Sequence, residues 1–195
     1  LGDVLARPVS ATDWRLNHLL FEEYYCPFLA GLIREVEPGY WDAPDRLRAR
    51  DPAALEALFM GLLYSGLSMT LAGTSFPASG GEHMTSHVLD MLALAHDGAH
   101  DVHGRQVGVG VIFAAALYER VLALESPEFR LVTEPTDAAF WGALAPVVEE
   151  EHVLKRARAE RAVSRLRRPG AWDAIRADLA PMTRPAARLK QCLRD

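Results

Sequence analysis

Two long apolar runs, 51–71 and 104–124, bracket a histidine-rich stretch, and this arrangement limits the fold more than any other feature of the chain. The first run places Leu55, Leu58, Phe59, Leu62, Leu63 and Leu67 at helical spacing. It opens on Asp51-Pro52, an acidic cap followed by proline at the first helical position. It is apolar around most of its circumference, which predicts a helix at the centre of the domain. Small residues at Gly61, Gly66 and Gly73, and at Gly108, Gly110, Ala114 and Ala115 of the second run, predict close helix–helix approach. No segment alternates with period two and no repeat is visible. The expected class is therefore all-α, with helices packed on helices.

The rest of the chain is punctuated by proline and glycine. Residues 1–9 read as a short helical or turn segment ended near Pro8. Thr12 or Asp13 is positioned to cap a helix running to Val36, where Pro38-Gly39 stops it. Trp14, Leu20, Phe21, Tyr24, Phe28 and Leu32 share one broad face of that helix, and Pro27 predicts a kink or break near Tyr25. Residues 40–50 read as a polar connection. Shorter helices are expected over 136–144, 147–167, 171–179 and 184–194.

The histidine-rich stretch, 73–110, holds five of the seven histidines: His83, His87, His96, His100 and His103. Two histidines four apart share one face of a helix. A third from the following loop can close a metal site with them. Singly, His83 and Asp3 have ordinary readings as a packed or surface histidine and a helix cap. His87 reads equally as an active-site group or as a hydrogen-bonded core histidine. His96 and His100 flank a glycine-containing loop and are expected at the surface. The Ser79-Gly80-Gly81 turn opens the histidine helix. It reads either as an anion site at a helix N-terminus or as a tight turn.

Composition narrows the classes. At 195 residues, half of them apolar, the chain is one globular domain or slightly more. A net charge of -5, with only Glu149-Glu150-Glu151 as a block, argues against nucleic acid or an anionic membrane as the main partner. No apolar run is expected to reach membrane-span length, and no signal peptide is visible. Cys26 and Cys192 lack metal spacing and read as free thiols in a reducing cytoplasm. The chain lacks an initial Met and opens inside a motif, so it is expected to be an excerpt of a longer protein.

The wording SFPASGGEHMTSHVLDML, followed by VHGRQVGVG and preceded by LGDVLARPVSATDWRL, resembles the sn-glycerol-1-phosphate dehydrogenase group of the iron-containing alcohol dehydrogenase superfamily. That superfamily also holds glycerol dehydrogenase and dehydroquinate synthase. The resemblance implies a metal site of Asp3 in GDxL, His83 opening HxxxH, and His103 of the His-Gly pair, with Zn2+ or Fe2+ as the ion. It implies that 1–195 is the helical C-terminal, metal-binding domain of a two-domain, dehydroquinate synthase-like fold. The NAD(P) domain would precede the chain, which has no G-x-G-x-x-G loop of its own. No cofactor-binding residue is assigned.

The activity so implied is reduction of dihydroxyacetone phosphate, or a related ketone or polyol, with His87 as the proton-transfer candidate. Ser79, Gly80 and Arg105 are the substrate-binding candidates. Partners would be a small-molecule substrate and the cofactor domain, with a homo-oligomer compatible. Phe76 stands where the group usually has Arg, and Arg105 where it usually has Glu, so the phosphate contact is altered. Two other readings remain. A dehydroquinate synthase-like cyclase is disfavoured because those enzymes carry Glu where Asp3 stands. A non-catalytic helical interaction domain would have an empty metal site. The Asp13-Trp14-Arg15 segment reads as support for the active-site floor or as a cap with a buried Trp.

Overall fold

The computed structural model describes residues 1–42, 44–131 and 135–194. Among them there are helices and no strand, so the class is all-α. The order is α1 (Gly2–Leu5), α2 (Arg7–Phe21), α3 (Pro27–Gly31), α4 (Pro38–Trp41), α5 (Pro44–Arg48), α6 (Pro52–Ala72), α7 (Gly81–Ala95), α8 (His103–Leu122), α9 (Ala138–Trp141), α10 (Ala145–Leu166), α11 (Ala171–Leu179) and α12 (Ala186–Leu193). One-turn 3-10 segments at Gly142–Leu144 and Ala180–Met182 lead into α10 and follow α11.

α7 and α8 form an antiparallel pair, with Glu82 opposite Gly110 and Ser86 opposite Gln106. α8 is also the floor on which α1 and α12 lie. The main core joins Val4, Leu5, Ala6 and Val9 to Ile33, Tyr40, Val107, Val111, Ala115, Leu189 and Cys192. Gly2 sits so close to α8 that a Cβ would fall on the Gly104 carbonyl oxygen. α1 is only four residues long, too short to be stable alone. Its place comes from this contact and from full burial of Val4 and Leu5.

Three expectations about the first helices change. α2 begins at Arg7 with Pro8 in its first turn, so Pro8 opens a helix where it was read as closing one. The break expected near Tyr25 is present, but the helix expected to reach Val36 ends well before it: α2 stops at Phe21, where Glu22 turns left-handed (φ 61°), and Pro27 starts α3 afresh. The chain therefore changes direction across 22–26, and the broad face dissolves: Trp14 is buried, but Tyr24 and Phe28 are mostly exposed. Residues 40–50, read as a connection, hold the end of α4 and all of α5 and bury Tyr40 in the core.

α6 runs as expected from the Asp51 cap, whose side chain accepts from the Ala54 amide at 3.0 Å, to Gly73 in the left-handed conformation. It is not the domain centre. Its small residues Ala54, Gly61, Ser65 and Ser68 face inward, and Leu55, Phe59, Leu62, Leu63, Leu67 and Leu71 face out. Gly61 makes the close approach, 3.1 Å from Tyr40 and 3.3 Å from Val4 for a Cβ placed there, whereas Gly66 meets open space. At 21 residues and mean hydropathy 1.4, α6 is also long and apolar enough to cross a membrane by length and composition, contrary to the sequence expectation. The outer faces of α7 and α8 carry further exposed apolar residues, among them Met84, Met91, Leu92, Phe113 and Leu117. The chain leaves 11,940 Å² accessible, where a compact monomer of this mass leaves roughly 9,200 Å².

α10 docks differently. It buries no residue, and its arginines grip the end of α2. Arg165 pairs with Glu22 at 2.9 Å, Arg158 pairs with Glu23 at 2.7 Å and lies over the Phe21 ring, and Arg161 donates to the Phe21 carbonyl. Cations at a helix C-terminus also meet the negative end of its dipole.

Candidate metal centre

Three elements bring three potential ligands together. Asp3 rides on α1, His83 on the first turn of α7, and His103 is the first residue of α8. One ligand atom from each lies within 4.8 Å of the other two. Asp3 Oδ1 is 3.7 Å from His83 Nε2 and 3.4 Å from His103 Nε2. The two imidazoles are 5.4 Å apart between centroids. His83 is nearly covered, whereas Asp3 and His103 are more open. Two imidazoles and one carboxylate with one side open match the donor set of a catalytic divalent site.

The local sequence explains the placement. Gly81 starts α7 immediately before Glu82-His83, so His83 emerges at a helix start held by backbone bonds. His103 starts α8 after the extended Val102. Gly110 permits the approach of the two helices, since a Cβ there would overlap the Glu82 carbonyl oxygen. Gly104 lies under Asp3, at 3.2 Å from Asp3 Oδ2 for a Cβ built on it.

Behind the ligands sit groups that the sequence reading missed. Glu82 is fully buried, and its Oε1 lies 2.8 Å from His83 Nδ1 while accepting from the Gly80 amide at 2.7 Å. Glu82 Oε2 is buried and has no hydrogen-bond partner. A buried carboxylate is costly unless positive charge lies nearby. A divalent ion on the far side of the His83 ring would be balanced by the charges of Asp3 and Glu82, so the residues present fit such an ion. His103 Nδ1 meets the Ser86 hydroxyl at 3.1 Å, Ser86 donates to Gln106 Oε1 at 2.9 Å, and Gln106 Nε2 donates to Asp90 Oδ1 at 2.9 Å. The Gln106 bond, with His100 beside it, holds the Asp90 carboxyl below its usual range. The missed groups did leave a signal: Glu82 precedes one ligand histidine, and Ser86 and Gln106 stand three residues after each of the two.

The glycine turn is already occupied. The Gly80 amide donates to Glu82, and the Gly81 amide donates to Asp13 Oδ2 at 2.7 Å. Asp13 lies mid-way along α2 and caps α7 across space, where the sequence suggested a cap for its own helix. Its other oxygen accepts from the Tyr118 hydroxyl. These two carboxylates leave the Gly80 and Gly81 amides unavailable to an anion. Ser79 and Gly80 instead line a cavity of about 420 Å³ with Asp13, Phe76, Met84 and His87. Exposed His87 is thus on that cavity wall, one turn beyond His83. Arg105 lies outside it, exposed and 3.4 Å from Asp101. His96 and His100 are exposed, as expected.

Burial raises the Asp13 carboxyl above its usual 3.8, more than its bonds to Gly81 and Tyr118 lower it. The folded chain therefore holds this proton more tightly than the unfolded one. That contribution to stability is complete below pH 3.8 and is lost as pH rises through the raised value. The D13N variant should gain thermal stability relative to the parent as pH goes from 4 to 7. An unchanged difference in melting temperature across that range would contradict this burial cost.

No family model matches the chain. Sequence relatives do. It is 37% identical over 121 residues to a glycerol-1-phosphate dehydrogenase (NAD(P)+) of Bacillus licheniformis, covering 62% of this chain and 30% of the relative. It is 31% identical over 150 residues to the protein of the same name from Thermococcus kodakarensis, covering 77% and 42%. The chain is a homologue of the glycerol-1-phosphate dehydrogenases. A third such dehydrogenase, from Geobacillus stearothermophilus, is 33% identical over 143 residues, covering 73% of this chain and 35% of its own length. The chain spans about a third of the length of these dehydrogenase relatives.

Proposed function

We propose that this chain is the metal-binding half of an NAD(P)-linked dehydrogenase that reduces dihydroxyacetone phosphate to sn-glycerol 1-phosphate, or acts on a related polyol or ketone. The observation that carries the reading is the convergence of Asp3, His83 and His103 from three helices, in a homologue of glycerol-1-phosphate dehydrogenases. Asp3, His83 and His103 would hold Zn2+ or Fe2+. The bound ion would supply Lewis acidity to the substrate oxygens. The cofactor supplies the hydride, and the protein supplies orientation.

The cavity beside α7 would seat the substrate, with Ser79 and Gly80 in its wall and Met84 and Phe76 excluding water. His87, on the same wall, would deliver the proton to the oxygen of the reduced carbon. Arg105, near the metal ligands in sequence, would meet the phosphate only at the rim. The surface left by α6, α7 and α8 favours a covering body, and we assign that role to the cofactor domain. Free Cys26 and Cys192 suit a cytoplasmic protein.

The test is the zinc content of the chain after purification without chelator, beside an Asp3→Ala/His103→Ala double variant. About one zinc per chain, lost in the double variant, supports the site. The full-length protein should then prefer dihydroxyacetone phosphate to dihydroxyacetone. If added zinc binds parent and variant alike, or neither, the metal reading is wrong.

A further inference from the structure

We infer that Glu82, and separately the series Asp90, Gln106 and Ser86, are positioning residues that lock both histidines in one tautomer, with the proton on Nδ1 and the lone pair on Nε2. This rests on the metal reading of the site, and it adds residues to which that reading assigned nothing.

The argument follows from which groups can donate. An ionised carboxylate only accepts. Glu82 Oε1 lies 2.8 Å from His83 Nδ1, so the proton between them belongs to the ring, and Nε2 carries the lone pair. Nε2 is the atom that faces Asp3. Glu82 cannot swing away. The same oxygen accepts from Gly80, the side chain is fully buried, and its backbone carbonyl is pressed against Gly110.

For His103 the direction is set three groups away. Asp90 accepts, so Gln106 must turn its amide nitrogen towards it and its oxygen towards Ser86. The Ser86 proton then goes to Gln106, which leaves the Ser86 oxygen as an acceptor for Nδ1–H of His103. Again Nε2 is left free, and again it faces Asp3. Two independent chains ending in carboxylates thus turn the two lone pairs onto one point. They differ in kind: a buried carboxyl group stands directly behind His83, whereas a hydroxyl stands behind His103. Outer partners of this kind are worth about 10- to 100-fold in metal affinity.

The experiment uses the whole chain. Long-range nitrogen–proton NMR reads the tautomers of His83 and His103 without metal, and chelator competition reads zinc affinity. In the parent both rings should carry the proton on Nδ1. Glu82→Ala should free the His83 tautomer and leave His103 locked, and Ser86→Ala should do the reverse, each weakening zinc about 10- to 100-fold. Glu82→Gln keeps an acceptor for Nδ1–H but loses the charge. It should keep the tautomer and bind zinc more tightly than Glu82→Ala. Should Glu82→Ala fail to fold, Ser86→Ala carries the tautomer test, and Glu82→Gln reads the contribution of the carboxylate through zinc affinity alone.

Mixed tautomers in the parent would overturn the inference. So would Glu82→Ala and Ser86→Ala variants that bind zinc within twofold of the parent with both tautomers unchanged. A parent with both tautomers locked but no zinc binding would leave the positioning claim standing and remove the metal reading.

Discussion

Gly2→Ala should weaken zinc binding at least tenfold while leaving most of the helices formed. The added Cβ would fall on the Gly104 carbonyl oxygen and within 3.2 Å of the Gly108 amide, both rigid backbone at the start of α8. Side chains can rotate away from an intruding methyl, but helix backbone cannot. α1 must lift instead, and Asp3 is the next residue. Overpacking of this kind costs about 1–3 kcal/mol. For a chain of this size, each kcal/mol lowers the melting temperature by about 2–4 °C.

The larger effect is on the site. A displacement on the order of 1 Å is enough to cost about 100-fold where groups must converge. Zinc competition should therefore show at least a tenfold loss, with far-UV circular dichroism nearly unchanged. Gly66→Ala is the control, because a Cβ there meets nothing within 4 Å. It should be neutral or stabilising by up to about 1 kcal/mol. Equal zinc affinity in Gly2→Ala and the parent would mean that the α1–α8 contact does not position Asp3.

Trp14→Ala should be the most destabilising single substitution in the first half of the chain. Trp14 is 1% exposed and packs with Leu29 and Ala30 in the second core cluster. Its ring meets Tyr24 and Tyr25 at centroid distances of 5.9 and 5.0 Å, and its Nε1 donates to the Tyr24 carbonyl at 2.6 Å. One side chain therefore holds the turn 22–26 that redirects the chain from α2 to α3. Truncating a buried Trp costs about 3–5 kcal/mol. That is a large share of the total stability of a domain. Trp14→Phe keeps most of the apolar contact and loses the N–H bond, so it should cost clearly less in urea unfolding. If the two variants unfolded at the same denaturant concentration, the hydrogen bond rather than the packing would be holding the turn.

The sequence reading succeeded where the cause is local. The Asp51-Pro52 start of α6, the Gly81 start of α7 and the span of α8 all depend on capping, backbone preferences and 3.6-residue periodicity, which a chain carries without its partners. The histidine face of α7 was legible for the same reason. So was the relationship to the dehydrogenases, because it lies in the wording of two motifs.

It misread features decided between elements. Asp13 has the composition of a local cap, but its partner amide is on Gly81, 68 residues away. α6 has the composition of a central helix, yet it turns its leucines outward. Periodicity records that a face is apolar and says nothing of what will cover it, and here α1 and α4 accept only the small-residue side. Pro8 and Glu22 moved the ends of α2 because proline serves equally to open and to close a helix, and a left-handed Glu is not marked by its residue type.

Read alone, then, the amino-acid order determined the all-α class, the main helices from Asp51 to Leu122, the ligand candidates and the kinship. Tertiary structure alone decided that Asp3, His83 and His103 meet, because Gly2 and Gly110 let three backbones approach where any side chain would hold them apart. It alone decided how the two histidines are aimed, because hydrogen-bond direction is fixed only when donor and acceptor are both in place. Glu82 and Asp90 take up those places from two points along α7, two turns apart.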